Sequence, residues 1–558
     1  MKFTSLPFDL VHEVAGYVDS KPDLLRLALS SKHLFLGLCP ILYSDVQLVD
    51  LEQCYSTLTM LNHRPDIARH VQKLLVRFST AHRAPSVDHD GYRVSSLVHS
   101  LAHSLDALHT FVWDAEEIPP RDDMWFALRL SCPRLTTVGT SYGAQLPDSH
   151  SELFQFKGLR GFTLNVKRGF YERFADTDLQ ELQAEPRLWD MLIRQSLDLE
   201  ELHVSGAPFI SAQAVRPLCH ARWPKLHTLS LGDILLDWDP RSGVKPPFIT
   251  FLEAHPRLRS LRTSRTALNP ALLTSLTSGS LPELTHFSGA IEHLQELAPI
   301  HHQITSVALD EPLVIRDFAP SLLASVLKGL KSLTELRVCF VFESAYEGGS
   351  LVRSIAHACP GLTKLEIICT RKSPFTIDTL AKAVRTLPRL QRLRVTLVRA
   401  QHEHSLPICA ATIAHTLPRL HAFSITFVSP DFPLPHHFGS EIGHISGDPG
   451  HPYTETGHYV VKTDQHGLPT SLACTEQRSS RSLLSFLESF PVPLLPTISW
   501  RKADRKVKRS SYTFDLHPSA KKRRGLGMIF EKSTAGEETR VLAVLISLTA
   551  LALWGFFS

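Results

Sequence analysis

The side chains of this sequence that could do chemistry are its thirty histidines, its nine cysteines and a dense run of lysine and arginine. Thiols that bind metal or exchange disulfides need short fixed spacings, and no Cys-x-x-Cys pair occurs. The cysteine count is odd, and Cys339, Cys359 and Cys369 lie beside apolar positions. Buried free thiols in a reducing compartment are expected. Pro435-His436-His437, with His444 and His451, could offer imidazoles to zinc, but that spacing fits no compact tetrahedral template. Gly, Pro and Ser surround these histidines, so the segment reads as a loop without a metal. No serine sits in a Gly-x-Ser-x-Gly elbow and no cysteine carries a local nucleophile signature. The sequence therefore predicts neither an active site nor a cofactor. What remains is recognition chemistry, carried by arginine.

The arginines that matter are positioned by a repeat. A helical stretch is followed by Pro-x-Leu-x-x-Leu, as in Trp223-Pro224-Lys225-Leu226-x-x-Leu229, His255-Pro256-Arg257-Leu258-x-x-Leu261 and Cys359-Pro360-Gly361-Leu362-x-x-Leu365. Leu333, Leu362, Leu390 and Leu420 head successive copies 29, 28 and 30 residues apart. Weaker copies begin near Leu74, Leu108, Leu159 and Leu199. A period of this size with Leu-x-x-Leu-x-Leu is the signature of a leucine-rich repeat. Each unit is expected to give one strand to a parallel sheet and one helix to the convex side, burying its apolar face only by stacking. A doubly wound α/β domain also alternates strand and helix. It is disfavoured because no glycine-rich phosphate loop follows a strand and the phrase keeps one phase.

In such a strand the leucines point inward and the intervening residues face the concave side. That rule places Ser260, Arg262 and Ser264 on the surface, then Glu335, Arg337 and Cys339, then Lys364 and Glu366, then Arg392, Arg394 and Thr396. Arg262, Arg337, Arg392 and Arg394 are candidate target-binding residues, since arginine forks onto carboxylate or phosphate. A solvated polar face is the plainer reading of the same residues.

Ahead of the repeats, residues 5–48 read as three short helices. Pro7 can start the first, where its missing N–H is no loss; Leu10, Val11, Val14 and Val18 recur at helical spacing. Gly16 is unfavourable inside it by roughly 1 kcal/mol. Asp19-Ser20-Lys21-Pro22 breaks the pattern. A second helix should follow Asp23, and a third should run from about Ser31 to Leu38, stopping before Pro40. Three helices in so few residues make a marginal core that gains from burying its remaining apolar face on a partner. By physics alone this could be a helical cap.

The residues say more. Leu6-Pro7-x-Asp9-Leu10-x-x-Glu13-Val14, then Asp23-Leu24-Leu25-x-Leu27-Ala28-Leu29-Ser30-Ser31-Lys32, then Pro40-x-Leu42-Tyr43-x-x-Val46-x-Leu48 closely resemble the F-box family, its fungal members above all. The resemblance implies docking on the small adaptor that bridges to a cullin scaffold. It also implies that Leu6 and Pro7 begin the docking surface and that Leu10, Val14, Leu24 and Leu27 extend it.

Past the repeats, 429–456 is rich in Pro, Gly and His and reads as a loop. Residues 457–476 read as two strands around an Asp-x-x-Gly turn that closes the open sheet edge. Residues 501–524 hold ten Lys/Arg against two Asp, so the rest of the chain is net acidic although the formal charge is +4. Such a run could be a nuclear-import signal, a nucleic-acid contact or a patch on anionic lipid. Its neighbour favours lipid. Val541 to Phe557 is uncharged and apolar on every face, and as a helix it spans about 26 Å, near the ~30 Å bilayer core. Basic residues on its N-terminal side fit a tail anchor with the remainder in the cytosol; a buried terminal helix is the alternative.

The fold expected is thus α/β: a three-helix module (1–48), a repeat solenoid (49–428), a loop and terminal cap (429–500), a basic linker (501–540) and an apolar C-terminal helix (541–558). The function implied is that of a substrate-receptor subunit of an SCF-type cullin-RING ubiquitin ligase. Such an adaptor has no active site of its own, and its partners would be the small adaptor, the cullin behind it and a protein target. No nucleic-acid partner is expected. The alternative is a membrane-tethered repeat scaffold whose F-box acts without degradation. The expected location is cytoplasmic, with attachment to an intracellular membrane through 541–557, or alternatively nuclear.

Overall fold

The structure is a computed structural model. It describes residues 7–479 except 19–20, 79–87, 168, 171–172, 174–185, 207–216, 233–244, 266, 278, 316–318, 343–347, 373–374, 400–402, 429–454 and 464–468. The His436–His451 loop, the basic run, Leu6 and the apolar segment 541–557 lie outside the described residues. The chain divides into two units, Met1–Asp515 and Leu516–Ser558, and every described residue belongs to the first.

Sixteen strands form one sheet in which spatial order is sequence order. They are β1 (Asp45–Leu48), β2 (Lys73–Val76), β3 (Thr110–Trp113), β4 (Thr137–Tyr142), β5 (Gly161–Val166), β6 (Glu201–Ser205), β7 (Thr228–Leu231) and β8 (Ser260–Thr263). There follow β9 (His286–Ser288), β10 (Ser306–Ile315), β11 (Glu335–Phe342), β12 (Lys364–Lys372), β13 (Arg392–Val398), β14 (Ala422–Val428), β15 (Glu455–Thr463) and β16 (Pro469–Ser479). Neighbours from β1 to β14 pair in parallel. Parallel neighbours require a crossover, and helices such as Ile377–Val384 and Leu406–Thr416 supply it. This long parallel-strand array resembles a leucine-rich-repeat solenoid.

The register keeps the phase read from sequence. Leu336, Leu365, Leu393 and Phe423 stand side by side on β11 to β14, and each is nearly fully buried. Burying a leucine of this kind stabilises by about 1.5–3 kcal/mol. One continuous core runs from Cys39 to Leu472. The weak copies are also repeats, and in three of them the heading leucine precedes its strand: Leu108, Leu159 and Leu199 stand before β3, β5 and β6. Leu74 sits within β2, so the heading position of that copy is Val71, which is fully buried.

In four copies the residue before the Pro-x-Leu phrase ties its repeat to the one before it. Trp223 Nε1–H donates to the Leu192 carbonyl at 3.0 Å, and the Trp223 N–H donates to His255 Nε2 at 3.0 Å. The thiols of Cys132 and Cys359 point at the carbonyls of Ala102 (3.4 Å) and Leu327 (3.7 Å). These contacts occupy carbonyls that helix ends leave without an intrahelical partner.

The sheet ends in an antiparallel pair. β15 pairs antiparallel with β14 and β16 antiparallel with β15, so the expected hairpin is present and extends the sheet.

Three helices precede the sheet: α1 (Phe8–Gly16), α2 (Lys21–Leu29) and α3 (Lys32–Leu42). Gly16 closes α1 rather than interrupting it. α3 is longer than expected. Ser31 caps it by accepting the Leu34 N–H at 3.1 Å, and the helix continues through Pro40. A proline inside a helix costs about 3 kcal/mol; here burial of Leu34, Leu38 and Cys39 on the same helix offsets it. The three helices share a small core of Val11, Ala15, Leu24, Ala28, Leu34 and Leu38, separate from the repeat core. The expected boundary at residue 48 falls inside the sheet. Asp45–Leu48 is already β1, with Val46 opposite Leu74 and Leu48 opposite Val76, so the helical module ends by Ser44.

Candidate functional site

Two surfaces carry the residues singled out in the sequence. The first is on the N-terminal helices. On α1, Val11 and Ala15 face inward, while Leu10, Val14 and Tyr17 form an exposed stripe at i, i+4 and i+7. Leu10 is 45% exposed and Val14 40%. Pro7 is exposed just ahead of them. α2 repeats the arrangement, with Leu24 and Ala28 buried and Leu25 and Leu29 exposed. Leu24 therefore belongs to the module's own core, and Leu27 is half-buried against it. The leucines that α2 presents outward are Leu25 and Leu29, one position on from Leu24 and Ala28. Sequence spacing alone cannot separate these two stripes, because both are apolar.

The second surface is the face of β8 to β13 that carries the residues between the inward leucines. Register places Arg337, Glu366 and Arg394 abreast on β11, β12 and β13. Arg262 lies on β8, and Asp310 follows the paired stretch Ser306–Leu309 of β10. Together they make a ladder of alternating charge. Arg262 Nη2 approaches Asp310 Oδ2 at 3.0 Å, and Arg337 Nη1 approaches Asp310 Oδ1 at 3.7 Å. Glu366 Oε1 is shared by Arg337 Nε at 4.0 Å and Arg394 Nη1 at 3.8 Å. The Ser288 hydroxyl donates to Asp310 Oδ2. Arg392, the fourth candidate, is exposed in the next row, level with Lys364, which pairs with Glu335 at 3.1 Å. Cys339 does not present a surface thiol: it is 1% exposed and packed on Ile368.

Sequence reading missed the two carboxylates as partners of the arginines, since Asp310 lies outside the repeated phrase and Glu366 looks like any solvated residue. It also missed a second cluster. Asp114, just after β3, is 5% exposed. It accepts from Lys167 Nζ at 2.6 Å, Arg77 Nε at 2.7 Å and Asn165 Nδ2 at 2.9 Å, and Ser205 donates to Asn165 Oδ1 at 2.6 Å. Burial raises the Asp114 carboxyl, but Lys167 and Arg77 outweigh it and hold the group below the usual carboxylate range. Burial pushes the thiols of Cys54, Cys132, Cys219, Cys339, Cys359 and Cys409 up to about 12, where the thiolate is scarce at neutral pH. Among the described residues, no helix is long and apolar enough to cross a membrane.

No family model matches the sequence, and no curated protein matches it. Among solved structures, a leucine-rich repeat-containing protein from Legionella pneumophila is similar at 13% sequence identity and a TM-score of 0.31, covering 62% of this chain and 97% of that one. The repeat architecture of this chain rests on its own strand order and register: an α/β parallel-strand solenoid with three helices at its N-terminal side.

Proposed function

We propose that the chain is a substrate-receptor subunit of an SCF-type cullin-RING ubiquitin ligase, an adaptor without an active site of its own. The observation that carries this reading is the N-terminal module. Its three helices have a separate core and leave Leu10, Val14, Tyr17, Leu25 and Leu29 exposed, an apolar surface of the kind a partner covers. The F-box resemblance of residues 5–48 names that partner as the small adaptor. The repeat array then serves as the target-binding body. Holding a target beside the ligase raises its effective concentration, and that proximity is the mechanism.

The test is capture of the adaptor and cullin by the full-length protein from cell extract. Replacing Leu10 and Val14 with Ser should abolish capture while leaving the thermal midpoint within a few degrees, because both side chains lie outside the module's buried core. Undiminished capture by that variant would overturn the reading. The apolar run at 541–557 favours a second reading, a membrane-tethered scaffold that recruits the adaptor without degradation. Under that reading the Leu10/Val14 variant loses the adaptor but leaves target abundance unchanged. Release of the full-length protein by carbonate would exclude the tether.

A further inference from the structure

We propose that Arg77 and Lys167, held in place by the buried Asp114, form a binding site for one oxyanionic side chain, carboxylate or phosphoryl, on an extended segment of a bound protein. The inference rests on the repeat array being the target-binding body and adds a place and a chemistry for the contact. Val76, Trp113 and Val166 on β2, β3 and β5 are buried in the repeat core, so the residues that follow them stand on the opposite face of the sheet. Those residues are Arg77, Asp114 and Lys167.

The site is built from beneath. Both oxygens of Asp114 are taken: Arg77 Nε donates to Oδ2 at 2.7 Å, while Lys167 Nζ at 2.6 Å and Asn165 Nδ2 at 2.9 Å donate to Oδ1. Asn165 is itself fixed by the Ser205 hydroxyl. Ser141, buried on β4 opposite Asn165, is short enough for Asp114 to reach across it to β5. What solvent meets is cation, with Arg77 39% and Lys167 25% exposed over a carboxylate that is 5% exposed. Arg77 uses only Nε in this cluster and Lys167 only one proton. Among the described residues, Arg77 Nη1 and Nη2 and the other Lys167 protons have no partner.

Charge and reach set the ligand. Two cations over one carboxylate leave the group net positive, and an anionic partner is favoured. Because both cations bond the same carboxylate, their nitrogens Nε and Nζ lie within roughly 8 Å, a gap that one oxyanion spans with a hydrogen bond on each side. The remaining Nη1–Nη2 edge of Arg77 is a fork that matches two oxygens of a carboxylate or phosphoryl group. The site lies on a sheet face and not in an enclosed cavity, so it suits a side chain of a segment laid across the strands better than a small molecule. The arginines on β8 to β13 do not offer this: Arg262 and Arg337 converge on Asp310, and Arg337 and Arg394 on Glu366.

The probes are N-acetyl-phosphoserine amide and N-acetyl-glutamate amide, added to the full-length protein. N-acetyl-serine amide is the uncharged comparator, and sodium chloride equalises ionic strength. The readout is amide hydrogen exchange. An anion at ten times its dissociation constant should slow exchange on β2, β3 and β5 about tenfold and leave β11 to β14 unchanged. Lys167→Gln should abolish the slowing, and Lys167→Arg should keep it. The response of the parent protein stands without any variant, so a variant that fails to fold does not shield the proposal. A larger effect of the phosphoserine amide assigns a phosphoryl group to the target; an equal or larger effect of the glutamate amide assigns a carboxylate. The proposal fails if neither anion slows exchange in the parent, if the serine amide slows it equally, if the slowing is spread over all strands, or if Lys167→Gln retains the response. Any of these failures leaves adaptor capture through α1 and α2 untouched, so the two readings fall separately.

Discussion

Replacing Asp114 with Asn keeps the side-chain shape and removes a buried charge between two cations. Asp114 is 5% exposed and bonded by Lys167 at 2.6 Å and Arg77 at 2.7 Å. Removing one member of a buried ion cluster costs about 3–5 kcal/mol. Here the cations retain water, with Arg77 39% and Lys167 25% exposed, so part of the loss is recovered. The expected cost is roughly 2–3 kcal/mol, a rise of about thirty- to 150-fold in the local opening equilibrium. Because repeats contact only their neighbours, the loss should be confined. Amide hydrogen exchange should quicken on β2 to β5 and stay unchanged on β11 to β14. The pH dependence has a definite sign. The folded pKa of Asp114 is depressed, so its contribution is complete above the unfolded value near 4 and lost as pH falls through the folded value. The difference between parent and variant should thus be full at neutral pH and shrink below about pH 4. Equal exchange in the two proteins at pH 7, or loss of protection across all repeats, would refute the reasoning.

His255 and His293 are buried, and desolvation holds both below the ordinary imidazole range despite their bonds to the carbonyls of Phe251 and Leu268. Their stabilisation is present above about pH 6.5 and is lost as pH falls below it. The thermal midpoint should drop between pH 7 and pH 5, and a flat profile over that interval contradicts this account. Eight of the nine cysteines are buried and Cys474 is partly exposed, so an aromatic disulfide reagent should modify one thiol in the native protein and the rest only after unfolding. Rapid native reaction of several thiols would show that the repeat core opens.

The repeat phase was readable because its cause is local. Each Pro-x-Leu-x-x-Leu carries its own turn and inward leucines, and Leu336, Leu365 and Leu393 fall in register as their spacing requires. The hairpin after β14 was equally legible, since a turn between two strand patterns is a short-range signal. What escaped depends on distance along the chain. Asp114 meets Lys167 fifty-three residues away, and Asp310 meets Arg262 and Arg337 from a stretch without the repeated phrase. The first strand was read as the exit of the helical module, because Val46 and Leu48 satisfy either role until a partner strand is known. Leu24 and Leu25 show the same limit: two apolar stripes on one helix are equivalent in sequence, and only packing against α3 chooses between them.

The order of the sheet also bears on how the protein is made. Each strand's neighbours in space are its neighbours in sequence, so every repeat can dock on a finished surface as it leaves the ribosome. Synthesis and stacking then share one direction. The three N-terminal helices, most of whose core comes from their own side chains, leave the ribosome first. Their apolar face is offered while the rest of the array is still being assembled, and a partner present at that moment would cover it before it could aggregate.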